Sequence, residues 1–113
     1  MTAVQVNTRT LDGASVIRLE GTIDGSSAPV AQAAIQPLLQ PGCRLVIDLA
    51  GVDFMSSAGL RLMLLIFRQV SSAGGKVAMI GLSEEIRDTM SLTGFLDFFT
   101  TAESEDDALL AVA

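Results

Sequence analysis

A chain of 113 residues, half of them apolar, has enough material for one compact domain with a real core and too little for two, so a single domain over residues 1–113 is expected. A formal net charge of -6 argues against direct nucleic-acid binding, which calls for a basic patch, and favours a partner with a basic surface. Cys43 is the sole cysteine and histidine is absent, which excludes a disulfide framework, a multi-cysteine metal site within one chain, and the Ser-His-Asp and Cys-His nucleophile systems.

The longest uninterrupted apolar run is Leu62 to Phe67, far below the roughly 18–20 residues of a membrane span, so no span is expected. The opening MTAVQVNTRT lacks a signal peptide's apolar stretch. A soluble, unexported protein in a reducing cytoplasm is the expectation. Its high apolar fraction also predicts some apolar surface left for another protein to cover.

Taken in order, Val4, Val6 and Thr8 alternate with Gln5, Asn7 and Arg9, the period of a half-buried strand. Leu11-Asp12-Gly13 predicts a turn, and Ser15 to Glu20 resumes the alternation, giving a hairpin. Ser26 or Ser27 ahead of Pro29 has the cap-then-proline order of a helix start. A first helix is expected from about Pro29 to Leu39, kinked or cut short at Pro37.

After Pro41-Gly42, Arg44 to Leu49 is an almost continuous apolar run closed by Asp48 and predicts a central strand buried on both faces. Val52 to Met63, VDFMSSAGLRLM, follows: an apolar approach, two adjacent serines, a small-residue turn and a helical segment. That helix is expected to end near Ser72, with Leu60, Met63, Leu64 and Phe67 on its core face. Lys76 to Ile80 predicts a strand, Ser83-Glu84-Glu85 starts a helix that Gly94 ends, Phe98 to Thr101 predicts a last strand, and Ser104 to Asp107 has capping-box spacing ahead of a final helix. Strands alternating with helices predict an α/β domain with a mixed, mostly parallel β-sheet and flanking α-helices.

Candidate chemistry is sparse. Asp24, Asp48 and Asp53 fall at or near predicted strand ends, but nothing in their spacing separates them from solvated loop acids. A receiver-type phospho-aspartate at Asp48 lacks its partners, because paired acids are missing early on and Lys76 is the only lysine. Gly74-Gly75 and Gly21 to Gly25 lack the spacing of phosphate-cradling loops, and no cofactor is expected. Cys43 has neither a cation nor a helix start beside it in sequence to activate it.

Ser56 and Ser57 carry two functions that stay open together. A hydroxyl at a helix start caps unpaired N–H groups, and the same N–H groups with the helix dipole accept a phosphate. On the following helix a wheel places Leu62 and Leu65 beside Arg61, Arg68 and Gln69 on the side away from the core. Exposed leucines among arginines suggest a docking surface, although isolated exposed apolar residues are also common.

FMSSAGLRLM, preceded by LVIDLAGV and followed by GGKVAMIGLSEEIRDTMSLTGF, resembles the STAS-domain anti-sigma factor antagonists of bacteria. The resemblance spans nearly the whole chain, including GTID, the FFT segment and the acidic start of the last helix. It implies a STAS-like fold and a non-enzymatic protein whose unphosphorylated form captures an anti-sigma serine kinase and so frees a sigma factor. The kinase phosphorylates a serine at the start of the helix after the central strand, and a serine phosphatase resets it. By position, Ser57 matches the phosphoacceptor, Gly59 and Leu60 match the Gly-Leu that follows, and Asp24 matches an acid close to the phosphoserine.

Many members read Asp-Ser-Ser-Gly-Leu; here Ser56 replaces the Asp and Ala58 the second Ser, which makes Ser56 a competing acceptor. Partner binding is accordingly expected around Asp24, Ser56, Ser57, Ala58, Gly59, Arg61, Leu62, Leu65 and Arg68. Other outputs share the fold: a STAS subunit of a lipid- or anion-transport assembly, a partner switch with a non-sigma output, or a small-molecule sensor with its pocket near the same helix start.

Overall fold

A computed structural model describes residues 4–113, with all side chains among them except those of Phe95 and Phe98. Strand β1 (Gln5–Leu11) turns back through Asp12 and Gly13 into β2 (Ala14–Ile23). Both turn residues have positive φ, 51° and 79°, as the two-residue turns that match the twist of a hairpin require. Pairing is antiparallel from Gln5↔Glu20 to Leu11↔Ala14.

Helix α1 (Ala28–Ile35) leads to a 3-10 turn at Gln36–Leu38, then β3 (Arg44–Met55), α2 (Ser57–Ser72), β4 (Lys76–Ile80), α3 (Glu84–Leu92), a second 3-10 turn at Phe95–Phe98, β5 (Thr100–Thr101) and α4 (Glu105–Ala111). The strands lie in the order β1-β2-β3-β4-β5, every pair after the hairpin being parallel.

The central strands are apolar throughout because both of their faces are covered. Ile17, Leu19, Leu45, Ile47, Leu49, Val77 and Met79 point into one core with the inward residues of α1, α2 and α3. The alternate residues Val16, Val46, Ala78 and Ile80 form a smaller core with Ala108 of α4 and Val112 just after it. Helix α2 alone buries Leu60, Leu62, Met63, Ile66 and Val70, each side chain contributing roughly 1.5–3 kcal/mol on transfer from water.

Three expected boundaries move. Helix α1 is cut short, as Pro37 predicts, ending at Ile35 rather than Leu39 and tightening to a 3-10 turn, since a proline there has no N–H to continue the helix. The central strand does not end at Leu49 but runs on to Met55, with register shifts between Arg18 and Glu20 and between Gly21 and Thr22 in its pairing with β2. These irregularities let one strand carry the chain to the serine pair and leave Asp53 and Phe54 adjacent and both exposed. The last strand is only Thr100–Thr101, because Phe95–Phe98 forms a 3-10 turn following Gly94, whose φ is 77°. Among the described residues, no helix is long and apolar enough to cross a membrane.

Candidate functional site at the start of helix α2

Ser56 and Ser57 part company at the helix start. Ser56 is the N-cap: its backbone is extended and its hydroxyl accepts from the N–H of Ala58 at 3.2 Å. Its own N–H donates to the Ile23 carbonyl at 2.9 Å, which docks the helix start onto the end of β2, and its carbonyl accepts the first bond of the helix from the Leu60 N–H at 3.0 Å. Ser57 is the first helical residue and is exposed, and among the described residues its hydroxyl makes no hydrogen bond within the chain. No acid stands in the first turn of α2, so the positive end of the helix dipole is not offset there.

The close docking depends on Gly59. A Cβ there would lie 2.5 Å from Met55 Cγ and 3.0 Å from both Ile23 Cγ2 and the Ile23 carbonyl oxygen. The glycine and the neighbouring Ala58 thus let the helix start approach the ends of β2 and β3.

Asp24 sits just beyond β2, in the turn that opens α1. One carboxylate oxygen accepts from the Ser26 N–H at 3.0 Å, the Ser26 hydroxyl at 2.8 Å and the Ser27 N–H at 3.1 Å. Bonding from the Ser26 hydroxyl first, then from the N–H groups of Ser27 and Ser26, holds its carboxyl below the usual carboxylate range. Ser27 occupies the cap position of α1 but makes no cap bond. Its buried hydroxyl instead accepts from the Asp24 N–H at 2.9 Å and donates to the Thr22 carbonyl at 2.7 Å. The expected serine cap is therefore corrected: Ser27 ties the turn back to β2, while the Asp24 carboxylate takes the Ser26 and Ser27 N–H groups ahead of the helix and its backbone carbonyl accepts from the Ala28 N–H at 2.8 Å.

Beside this turn, α1 and α2 enclose a groove of about 300 Å3 lined by Gly25, Ala28, Pro29, Gln32, Ala58, Arg61, Leu62 and Leu65. Arg61 and Arg68 are exposed on α2, and Leu65 is half-buried between them. Leu62 corrects the helical-wheel expectation of an outward leucine: it is only 4% exposed and belongs to the main core. Helix α1 packs along this side of α2, so the face that looked free is the helix–helix seam. The α1 side of the groove was not read from the sequence, although the inward spacing of Ala28, Ala31 and Ile35 marks a helix that must pack on something. Phe54 and Val30, 50% and 55% exposed, were also missed.

Cys43 is half-buried and its thiol is pushed up by burial, the opposite of an activated thiolate. Asp48 spends a carboxylate oxygen on the Ala50 N–H at 2.9 Å, within β3 where its pairing with β2 shifts register.

The sheet order, the capped start of α2 and the adjoining Asp24 turn define a domain of one family: the STAS domain family matches residues 5–108, and the chain belongs to it. Named relatives sharpen the comparison. BtrV of Bordetella bronchiseptica, which bears the provisional name of anti-sigma factor antagonist, is 31% identical over 102 residues, covering 89% of this chain and 88% of its own. The anti-sigma-B factor antagonist of Bacillus subtilis is 34% identical over 90 residues, covering 79% of this chain and 83% of that one. The crystal structure of an anti-sigma factor antagonist from Mycobacterium paratuberculosis superposes with a TM-score of 0.86 at 30% identity, covering 97% of this chain and 94% of that chain.

Proposed function

We propose that this chain is an anti-sigma factor antagonist that works in the cytoplasm as a phosphorylation-controlled binding protein, without catalysis and without contacting nucleic acid. Its unphosphorylated form binds an anti-sigma serine kinase and frees the sigma factor; phosphorylation of Ser57 ends that binding, and a serine phosphatase restores it. The likeness to relatives named for this role supports the assignment. The observation that carries the choice of residue is the division of labour between the serines: Ser56 is committed to the cap, while Ser57 offers an exposed, unbonded hydroxyl one position on.

In the transfer, Ser57 Oγ forms a bond to the γ-phosphorus of ATP as the β–γ bridge breaks. The hydroxyl proton leaves to a base on the kinase, and ADP departs. The product adds about 1.5–2 negative charges at a helix start whose dipole stabilises an anion by about 0.3–1 kcal/mol. The fold therefore survives, and the cost falls on the complex, where like charges brought together at a contact cost several kcal/mol. Asp24, held ionised by its serine neighbours, keeps a negative charge in the turn before α1 in both states.

The test is a pull-down from the source cell followed by phosphosite mapping with and without ATP. Phosphate on Ser57 only with ATP, on a protein co-purifying with a serine kinase, is expected; phosphate on Ser56 alone, or on neither serine, contradicts the assignment.

A further inference from the structure

The groove between α1 and α2 has a charge pattern unlike the rest of the molecule. From Gly25 to Leu39 the chain carries no charged side chain, and α2 carries only Arg61 and Arg68. Among the described residues neither arginine forms an ion pair. A chain with a formal charge of -6 thus presents an apolar seam edged along α2 by two unneutralised cations; six of its thirteen acids lie on α3 and α4, and Asp24 is the acid next to the groove, in the turn before α1. Arg61, Leu65 and Arg68 follow the i, i+4, i+7 spacing of a single helical stripe, so cation, apolar contact and cation repeat along one side of the seam.

We infer that this groove seats an acidic amphipathic helix of the partner, with apolar side chains in the seam and carboxylates against Arg61 and Arg68. This rests on the proposed kinase partner for its setting, but the groove chemistry stands on its own residues. Laying an amphipathic helix into such a groove gives affinity through its apolar face and orientation through its charges. Ser57 lies four residues before Arg61, on the same face of α2. A phosphate on Ser57 takes Arg61 as its own partner, so the modification removes the cation that the incoming carboxylate needs and adds repulsion beside it.

The test uses two synthetic amphipathic peptides of about fourteen residues, a length at which helix is marginal in free solution and is completed on docking. Both carry leucine at positions 1, 4, 5, 8 and 11 of about fourteen, with glutamate on the flanks of one and lysine on the flanks of the other. Each is titrated into the isotope-labelled full chain and followed by amide chemical shifts. The glutamate peptide is expected to shift Ala28, Gln32, Ala58 and Leu65 in a salt-sensitive way. The double variant Arg61→Glu, Arg68→Glu is expected to weaken it at least about tenfold and to bind the lysine peptide instead. Full-chain protein carrying phosphoserine at position 57 is expected to lose the glutamate peptide by a similar factor. Equal binding of both peptides, binding of neither, shifts centred away from the groove, a preference that does not follow the charge swap, or undiminished binding by the phosphoprotein would each overturn the inference. No kinase enters these measurements, so they succeed or fail independently of the phosphosite mapping.

Discussion

Replacing Gly59 with alanine separates helix propensity from packing. In an open helix the change is favourable by up to about 1 kcal/mol. Here the new Cβ meets Met55 Cγ at 2.5 Å and the Ile23 side chain and carbonyl oxygen at 3.0 Å. Met55 Cγ lies mid-way along a side chain that is only 7% exposed, and the Ile23 carbonyl is backbone already bonded to the Ser56 N–H. Neither can swing aside cheaply, so the overpacking cost of about 1–3 kcal/mol outweighs the propensity gain. The expected result is a net loss near 1 kcal/mol, a fall in Tm of about 3–6 °C for a domain of this size. Paired thermal and urea melts give the answer, and an unchanged urea slope certifies that stability alone moved. A Gly59→Ala protein as stable as the parent, or more so, would refute the claim that α2 is docked through this glycine.

Other consequences are as concrete. Ser56→Ala, which removes the α2 cap, is expected to cost about 1 kcal/mol, whereas Ser57→Ala leaves the melt within about 0.5 kcal/mol of the parent; equal losses would mean the serines share the cap. Leu62→Ala is expected to cost about 2–5 kcal/mol as a core truncation and half-buried Leu65→Ala distinctly less, so the reverse order in urea melts would restore the outward Leu62. For Asp24, the folded-state carboxyl titrates below its ordinary value of 3.8, so its contribution is present above that value and is lost as the pH falls through the lower, folded one. The Tm gap between the parent and Asp24→Asn is therefore steady at neutral pH and closes below about pH 4; a gap that widens on acidification contradicts this sign.

Much of this architecture is readable from periodicity. The hairpin, the doubly buried strand at Arg44 and the amphipathic α2 each follow from a local pattern that tertiary packing reinforces. What escaped depends on partners distant in sequence. The extension of β3 to Met55 is set by register shifts against β2, which no local pattern announces. Leu62 sits on the outer edge of the α2 wheel yet is buried in the main core, at the seam with α1. Short β5 took its length from the 3-10 turn before it, and aromatic FLDFFT mimics a strand in composition.

At the serine pair the sequence placed both residues at the helix start without separating their tasks. That separation depends on backbone geometry: an extended Ser56 turns its hydroxyl to the Ala58 N–H, and a helical Ser57 turns its own outward. Asp24 was legible as an acid near the site, but not as the acceptor that organises the start of α1.

The most direct test of the proposed switch is the affinity of the purified cognate kinase for three forms of the full chain: parent, Ser57→Ala and Ser57→Asp. The account predicts that parent and Ser57→Ala bind alike before ATP is added, that ATP releases the parent but not Ser57→Ala, and that Ser57→Asp binds at least about tenfold more weakly, a difference of about 1.4 kcal/mol, with a near-native melt. Equal affinity for Ser57→Ala and Ser57→Asp, or release of Ser57→Ala by ATP, would contradict it.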